Sequence, residues 1–206
     1  MKARRSRVTT VAGIDVGGLR KGFDVAILRE TAGQVSLLCP VAKVHTPAQV
    51  VKLLSPYAPD VIAIDSPSGL ALGKAKSRAC ERALAKAICG IRYTPDQHGL
   101  SASPAYYAWI MNGKNLYAAL TRAQLGDVIE VFPTASWTRL SGSRVGTRAQ
   151  WTRAAMQSVL ARRVEIKGIP ANHNQDVRDA IVAAYTALLH HRCQDDQSFL
   201  PIVVPK

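Results

Sequence analysis

The sequence predicts a mixed α/β protein with a sheet of about five strands flanked by helices. Three observations carry this. Apolar, β-branched segments lie close together near the N-terminus, joined by links short enough for hairpins. Beyond Pro40, apolar runs alternate with helical patterns, as expected where later strands join the same sheet through crossovers. Two of the strands, Val11-Ala-Gly-Ile-Asp15 and Val61-Ile-Ala-Ile-Asp65, run apolar into an aspartate and stop at turn residues, Gly17-Gly18 in one case and Ser66-Pro-Ser-Gly69 in the other.

Taken in order, the first strand starts at Val8 and turns at Gly17-Gly18. Residues 23–28 form the second strand and 34–38 the third, closed by Pro40. The link over 29–33 makes these two an antiparallel hairpin, and the first strand pairs with the second in the same way. Pro47 opens a helix over 48–54, with Thr46 as its N-cap. Residues 61–64 read as a strand buried on both faces. A helix over 74–88 is closed by Cys89-Gly90. Residues 91–104 read as loop, and 105–125 as helix with a weak point at Asn112-Gly113. A strand over 128–132 stops at Pro133, and a short helix or turn covers 134–140. A flexible basic loop spans 141–146, and helices span 151–164 and 174–192. The last helix carries Ile181, Tyr185 and Leu188 on one side, with Val182 and Leu189 beside them. Residues 202–204 form a terminal strand or a docked tail.

With 206 residues, 48% of them hydrophobic, the chain can bury the core of one domain over 8–206, behind a basic arm at 1–7. No apolar run approaches the ~18 residues of a membrane span, and no signal-peptide core follows the arm. Cys39, Cys80, Cys89 and Cys193 form no C-x-x-C pair, which points to reduced thiols and a cytoplasmic protein. The net charge of +13, from 27 Lys and Arg against 14 Asp and Glu, favours a polyanionic partner such as nucleic acid, whether DNA or RNA.

Against that excess the positions of the acids are informative. Asp15 and Asp65 end buried strands, Glu130 interrupts an apolar strand, and Asp179 leads into the apolar face of the last helix, with Asp176 one turn before it. Each has an ordinary alternative: Glu130 an ion pair with an arginine, Asp176 a complement to the helix dipole, Asp65 a turn former. Hard cations such as Mg²⁺ take oxygen ligands, and paired ions can activate a water and stabilise a leaving oxygen in phosphodiester cleavage. That chemistry needs acids converging from several elements.

Gly13-Ile-Asp15, Ala63-Ile-Asp65-Ser-Pro67, Ile129-Glu-Val-Phe-Pro133 and Asp179-Ala-Ile-Val-Ala-Ala184 resemble the family of unknown function 429, described as predicted nucleases of the RNase H-like fold. The resemblance spans residues 11–189. In RNase H-like and Holliday-resolvase-like enzymes an Asp on strand one, an acid on strand four and an Asp on the last helix bind two metals. By that resemblance Asp15, Asp65 and Asp179 are ligands of Mg²⁺ or Mn²⁺, joined by Asp176, and Glu130 matches the fifth-strand acid of a catalytic set with Asp15, Asp65 and Asp179. It implies a divalent-metal-dependent nuclease with a two-metal mechanism. Two other classes remain: a non-catalytic nucleic-acid-binding module of the same fold, and an actin-like or sugar-kinase-type phosphotransferase, for which the chain is short.

Lys74, Arg78 and Arg82 form a basic stripe on the predicted helix, suited to tracking phosphates or simply to a solvated face. The loop over 91–95, with Arg92, and His98 are positioned to enter the site; the family has a similar Arg and Thr-Pro region. Arg144 and Lys167 are further candidates to reach substrate. Tyr106, Tyr107 and Trp109 sit at helical spacing and read as core.

Overall fold

The computed structural model describes residues 8–142 and 144–206. The basic arm at 1–7 and Ser143 of the loop over 141–146 lie outside the described residues. The protein is mixed α/β. Strands β1 (Thr9–Val16), β2 (Phe23–Thr31), β3 (Gln34–Leu37), β4 (Ala42–Val44), β5 (Val61–Asp65), β6 (Asp127–Val131), β7 (Asp195–Asp196) and β8 (Ile202–Pro205) build one sheet in the order β3-β2-β1-β5-β6-β8-β7, with β4 beside β2. The pairs β1–β2, β2–β3, β2–β4 and β7–β8 are antiparallel, whereas β1–β5, β5–β6 and β6–β8 are parallel.

The described residues hold eight strands where about five were expected, with 202–204 as a candidate sixth. The three additions (β4, β7 and β8) are two to four residues long. Segments that short are below the length at which alternation can be read. The terminal residues 202–204 are a strand and not a docked tail.

The seven α-helices among the described residues are α1 (Pro47–Leu54), α2 (Ala79–Ala87), α3 (Gln97–Ala102), α4 (Ala108–Ala123), α5 (Pro133–Ser141), α6 (Arg148–Ala155) and α7 (Gln175–His191). Thr46 caps α1 as expected, its side chain accepting from the backbone N–H of Gln49, whose own side chain reaches back to complete a capping box. Helix α2 starts five residues later than expected, and α3 occupies part of the presumed loop. Helix α4 runs unbroken through Asn112-Gly113. Gly113 is required there, because a Cβ would stand 1.9 Å from Ser66 Oγ, the residue that follows β5. Helix α6 begins at Arg148 and passes into a π-helical segment, Met156–Arg163.

Strand alternation divides the sheet into two faces. Val11, Ala26, Leu28 and Ala63 pack with Ala180, Ala183, Ala184 and Leu188 of α7. Ala12, Ile14, Ile27, Ile62 and Ile64 face the other way, toward Val50 and Leu54 of α1 and Leu116 and Leu120 of α4. At Gly13 the approach of α7 to β1 is backbone on backbone: a Cβ would lie 2.0 Å from Ala184 N and 2.3 Å from Ala180 O. The absent side chain, with the alanines of α7, lets that helix sit directly on the central strand, and this contact sets where Asp179 falls.

Candidate active site

Pairing register brings three aspartates into one row. Asp15 is the register partner of Asp65 on parallel β5 and of Asp24 on antiparallel β2. All three belong to the face covered by α7, since Asp15 follows Val11 and Gly13, Asp65 follows Val61 and Ala63, and Asp24 precedes Ala26. Helix α7 brings two more acids toward the row. Asn174 caps it, its side chain accepting from Val177 N at 2.9 Å, which places Asp176 in the first turn and Asp179 three residues on. Asp15, Asp65, Asp176 and Asp179 line one cleft of about 610 Å³. Among the described residues, the group whose ligand oxygens all lie within 4.8 Å of one another is Asp15, Asp24 and Asp176.

The row is electrostatically strained. Burial pushes Asp15 up to about 6 from an ordinary 3.8; Lys21 opposes the rise, and Asp179 and Asp176 add to it. Burial, then the charges of Asp15 and Asp179, hold Asp65 well above the usual carboxylate range, against Arg148 and Lys21. Asp179 is also raised by burial, against Arg148, Gln175 and Trp137. Lys21, in the turn between β1 and β2, spans 3.1 Å to Asp15 Oδ2 and 2.8 Å to Asp176 Oδ1. Lys43 Nζ stands 2.7 Å from Asp24 Oδ2. Asp179 accepts from Arg148 Nη2 at 2.9 Å, Gln175 Nε2 at 2.9 Å and Trp137 Nε1 at 3.2 Å. Five carboxylates thus meet three cations. If all ionise, these direct partners leave two negative charges over, with buried Arg178 acting on Asp179 and Asp176 without a hydrogen bond to either among the described residues, and Asp65 has no hydrogen-bond donor of its own among the described residues.

Glu130 is placed differently. Its register partner is Ile64, so it points to the face opposite the aspartates. Arg78 Nη1 donates to Glu130 Oε2 at 2.9 Å and Nη2 to Oε1, while Ser68 donates from its backbone at 2.8 Å and its hydroxyl at 2.7 Å. Arg78 Nε also reaches Glu81 Oε1 at 3.0 Å, and Glu81 accepts from Thr94 N and Thr94 Oγ1. Glu130 and Glu81 line the far wall of the cleft, sharing the one charge of Arg78 and well supplied with hydrogen-bond donors, and Glu130 makes the arginine ion pair that was its ordinary alternative. The basic stripe is dispersed. Lys74 lies before α2, Arg78 is spent on the two glutamates, and exposed Arg82 donates to Ser77 O at 2.8 Å. Arg92 lines the cleft and lies 5.3 Å from the centre of the Tyr106 ring. Tyr106 and Tyr107 precede α4, and Tyr106 is exposed, so it is not core. Trp109 lines the cleft.

Sequence reasoning missed Lys21, Asp24, Arg148, Gln175 and Trp137. Asp24 was within reach: a hairpin closed at Gly17–Gly22 sets Asp15 against Asp24. Nothing local marks Arg148 or Trp137, which arrive from distant helices.

A mixed α/β protein with a carboxylate cleft at the carboxyl ends of its parallel strands is thus defined. The chain belongs to the family described as protein of unknown function (DUF429), whose model matches residues 13–202. No curated protein matches it. No described helix is long and apolar enough to cross a membrane.

Proposed function

We propose that the chain is a divalent-cation-dependent phosphodiester hydrolase acting on nucleic acid, with an RNase H-like core. The observation that carries this reading is the under-neutralised row: Asp15, Asp65 and Asp179 share one cleft, all three carboxyl groups pushed upward by burial, and Asp15 and Asp65 also by the charge of neighbouring acids. A buried set of ionised acids with too few partners is costly unless a cation joins it. The donor set is all oxygen, which fits Mg²⁺ or Mn²⁺. Asp15, Asp65, Asp176 and Asp179 would hold such an ion, with Asp24 beside Asp15. When bound, it would supply Lewis-acid polarisation of a phosphoryl oxygen and a lowered water pKa. The chain's own groups do the rest. Arg148, exposed and fixed by Asp179, stands where a phosphate oxygen can meet a guanidinium. Trp137 and Gln175 fix the Asp179 carboxylate. The net charge of +13 supports a polyanionic substrate.

The test is cleavage of end-labelled single- and double-stranded DNA and RNA with Mg²⁺ or Mn²⁺, comparing wild type with Asp15→Asn and Asp65→Asn. Ion-dependent cleavage lost in both folded variants is the expected result; cleavage retained in either removes that residue from the mechanism. A second reading, a non-catalytic nucleic-acid-binding module, is favoured by the ion pairs of Lys21 and Arg148, which already occupy three of the acids. Tight nucleic-acid binding indifferent to Mn²⁺ and to Asp15→Asn would establish it.

A further inference from the structure

Lys21 stands where a cation belongs. Its ammonium lies between Asp15 and Asp176, two of the three acids whose oxygens cluster within 4.8 Å. The backbone is built to bring it there. The turn closes with Gly17 N donating to Gly22 O at 2.8 Å, and Lys21 N and Gly22 N each donating to Gly18 O at 2.9 Å. The Lys21 stem then folds back across Gly17, where a Cβ would meet its Cδ at 2.5 Å and its Cβ and Cγ at 2.6 Å. Gly17 therefore has no room for a side chain while Lys21 holds this conformation. The Lys21 side chain is 42% exposed, so a path outward to water is open.

Resting on the reading of the cleft as a cation site, we infer that Lys21 is a tethered competitor of the divalent ion: its ammonium neutralises Asp15 and Asp176 in the ion-free protein and must leave for the ion to bind. The two cations compete, because an ammonium held against Asp15 Oδ2 and Asp176 Oδ1 repels an incoming ion and occupies oxygens it would use. The exchange requires no backbone change beyond the turn over 17–22. The stem swings off Gly17 and the ammonium moves to solvent at the cleft mouth. Ion affinity is therefore set by the competition, and the ion-free fold is protected from its own acidic row by a charge carried on the chain.

The probe is Mn²⁺ alone, titrated by calorimetry into wild type and Lys21→Met without nucleic acid. Lys21→Met is expected to bind Mn²⁺ at least tenfold more tightly, about 1.4 kcal/mol, and to melt at lower temperature than wild type when no ion is present. Equal or weaker binding by a folded Lys21→Met overturns the inference while leaving the ion site intact. Binding by neither protein at millimolar Mn²⁺ overturns both. Should Lys21→Met fail to fold, amine labelling of wild type, read at the Lys21 peptide by mass spectrometry, decides. Labelling that rises several-fold on Mn²⁺ addition supports displacement, and labelling that stays level or falls overturns it.

Discussion

On the α7 side of the cleft, Asp15 and Asp179 are buried and Asp65 half-buried beside them, with Lys21 and Arg148 as their cations, and their carboxyl pKa values rise. Across the cleft, Glu81 and Glu130 are as deeply buried, but they close on Arg78 from two sides and take six further hydrogen bonds from Ser68, Thr94 and the backbone N–H of Arg78. Both regions hold acids next to strand ends and helix starts, within one cavity. They differ in partner supply. Burial of an acid therefore does not by itself mark a reactive group. Burial without enough donors does, because that group gains most from a ligand that brings charge.

The largest expected effect falls on the satisfied side. Arg78→Ala leaves two buried carboxylates without their cation and should cost about 3–5 kcal/mol in urea unfolding, as removal of one partner from a buried ion pair does. Asp15→Asn, on the crowded side, should cost far less or stabilise the ion-free protein, because it relieves repulsion. Comparable losses for both variants would dissolve the contrast between the two walls.

Next in size is Gly13→Ala. Its methyl group has backbone on the far side, at Ala184 N and Ala180 O, and backbone cannot rotate away. Overpacking of this kind costs about 1–3 kcal/mol or more. The helix must back off β1, so Asp179 should part from Asp15 and the ion-dependent rise in melting temperature should shrink with it. Gly113→Ala makes a useful comparison, since its methyl group meets Ser66 Oγ and Cβ and not α7, so it should also cost stability while leaving the α7–β1 contact in place.

These glycines show what the sequence made legible. Asp15 and Asp65 announced themselves because a carboxylate after an apolar run is locally visible, whereas the pairing that sets them side by side came only with the structure. Asp179 was visible as the acid leading into an apolar helix. Glu130 carried the same local signature, yet one residue of register sent it to the opposite face, where Arg78 was waiting. Its fate depends on strand alternation combined with a distant arginine, and a single strand's pattern contains only the first. Arg148 and Trp137 left no trace because their roles arise from tertiary approach, and Lys21, though in the same hairpin as Asp15, carries no pattern that sets it apart from other turn lysines. Strands β4 and β7 were missed for a simpler reason, being three and two residues long, too short for alternation to be read.

The pH dependence separates the walls further. A carboxyl whose folded pKa exceeds its unfolded value holds its proton more tightly when native. Asp15 therefore contributes least cost below about 3.8, and stability is lost as pH rises from there through about 6. A shift of this size corresponds to at most about 3 kcal/mol. Melting temperature of the ion-free wild type should fall across that window, more steeply than that of Asp15→Asn. Millimolar Mn²⁺ should flatten the fall, since the ion stabilises the ionised form by mass action. Parallel profiles for the two proteins would mean that Asp15 is comfortably solvated.

The smallest effect concerns the far wall's exterior. Lys74 and Arg82 are exposed, and unlike Arg78 neither is committed to a carboxylate, so they remain free to meet phosphate. If nucleic acid tracks along this side, Lys74→Ala with Arg82→Ala should weaken binding only several-fold and reduce the slope of log affinity against log salt by about 2, one unit for each lost phosphate contact. The weakening should be uniform across sequences, since phosphate contacts position a strand without reading it. Folding and Mn²⁺ binding should be unchanged, which separates this role from that of the aspartate row. An unchanged salt slope would assign the two residues to an ordinary solvated face, and would move the nucleic-acid path to the α6 side, where Arg148 already stands at the mouth of the cleft.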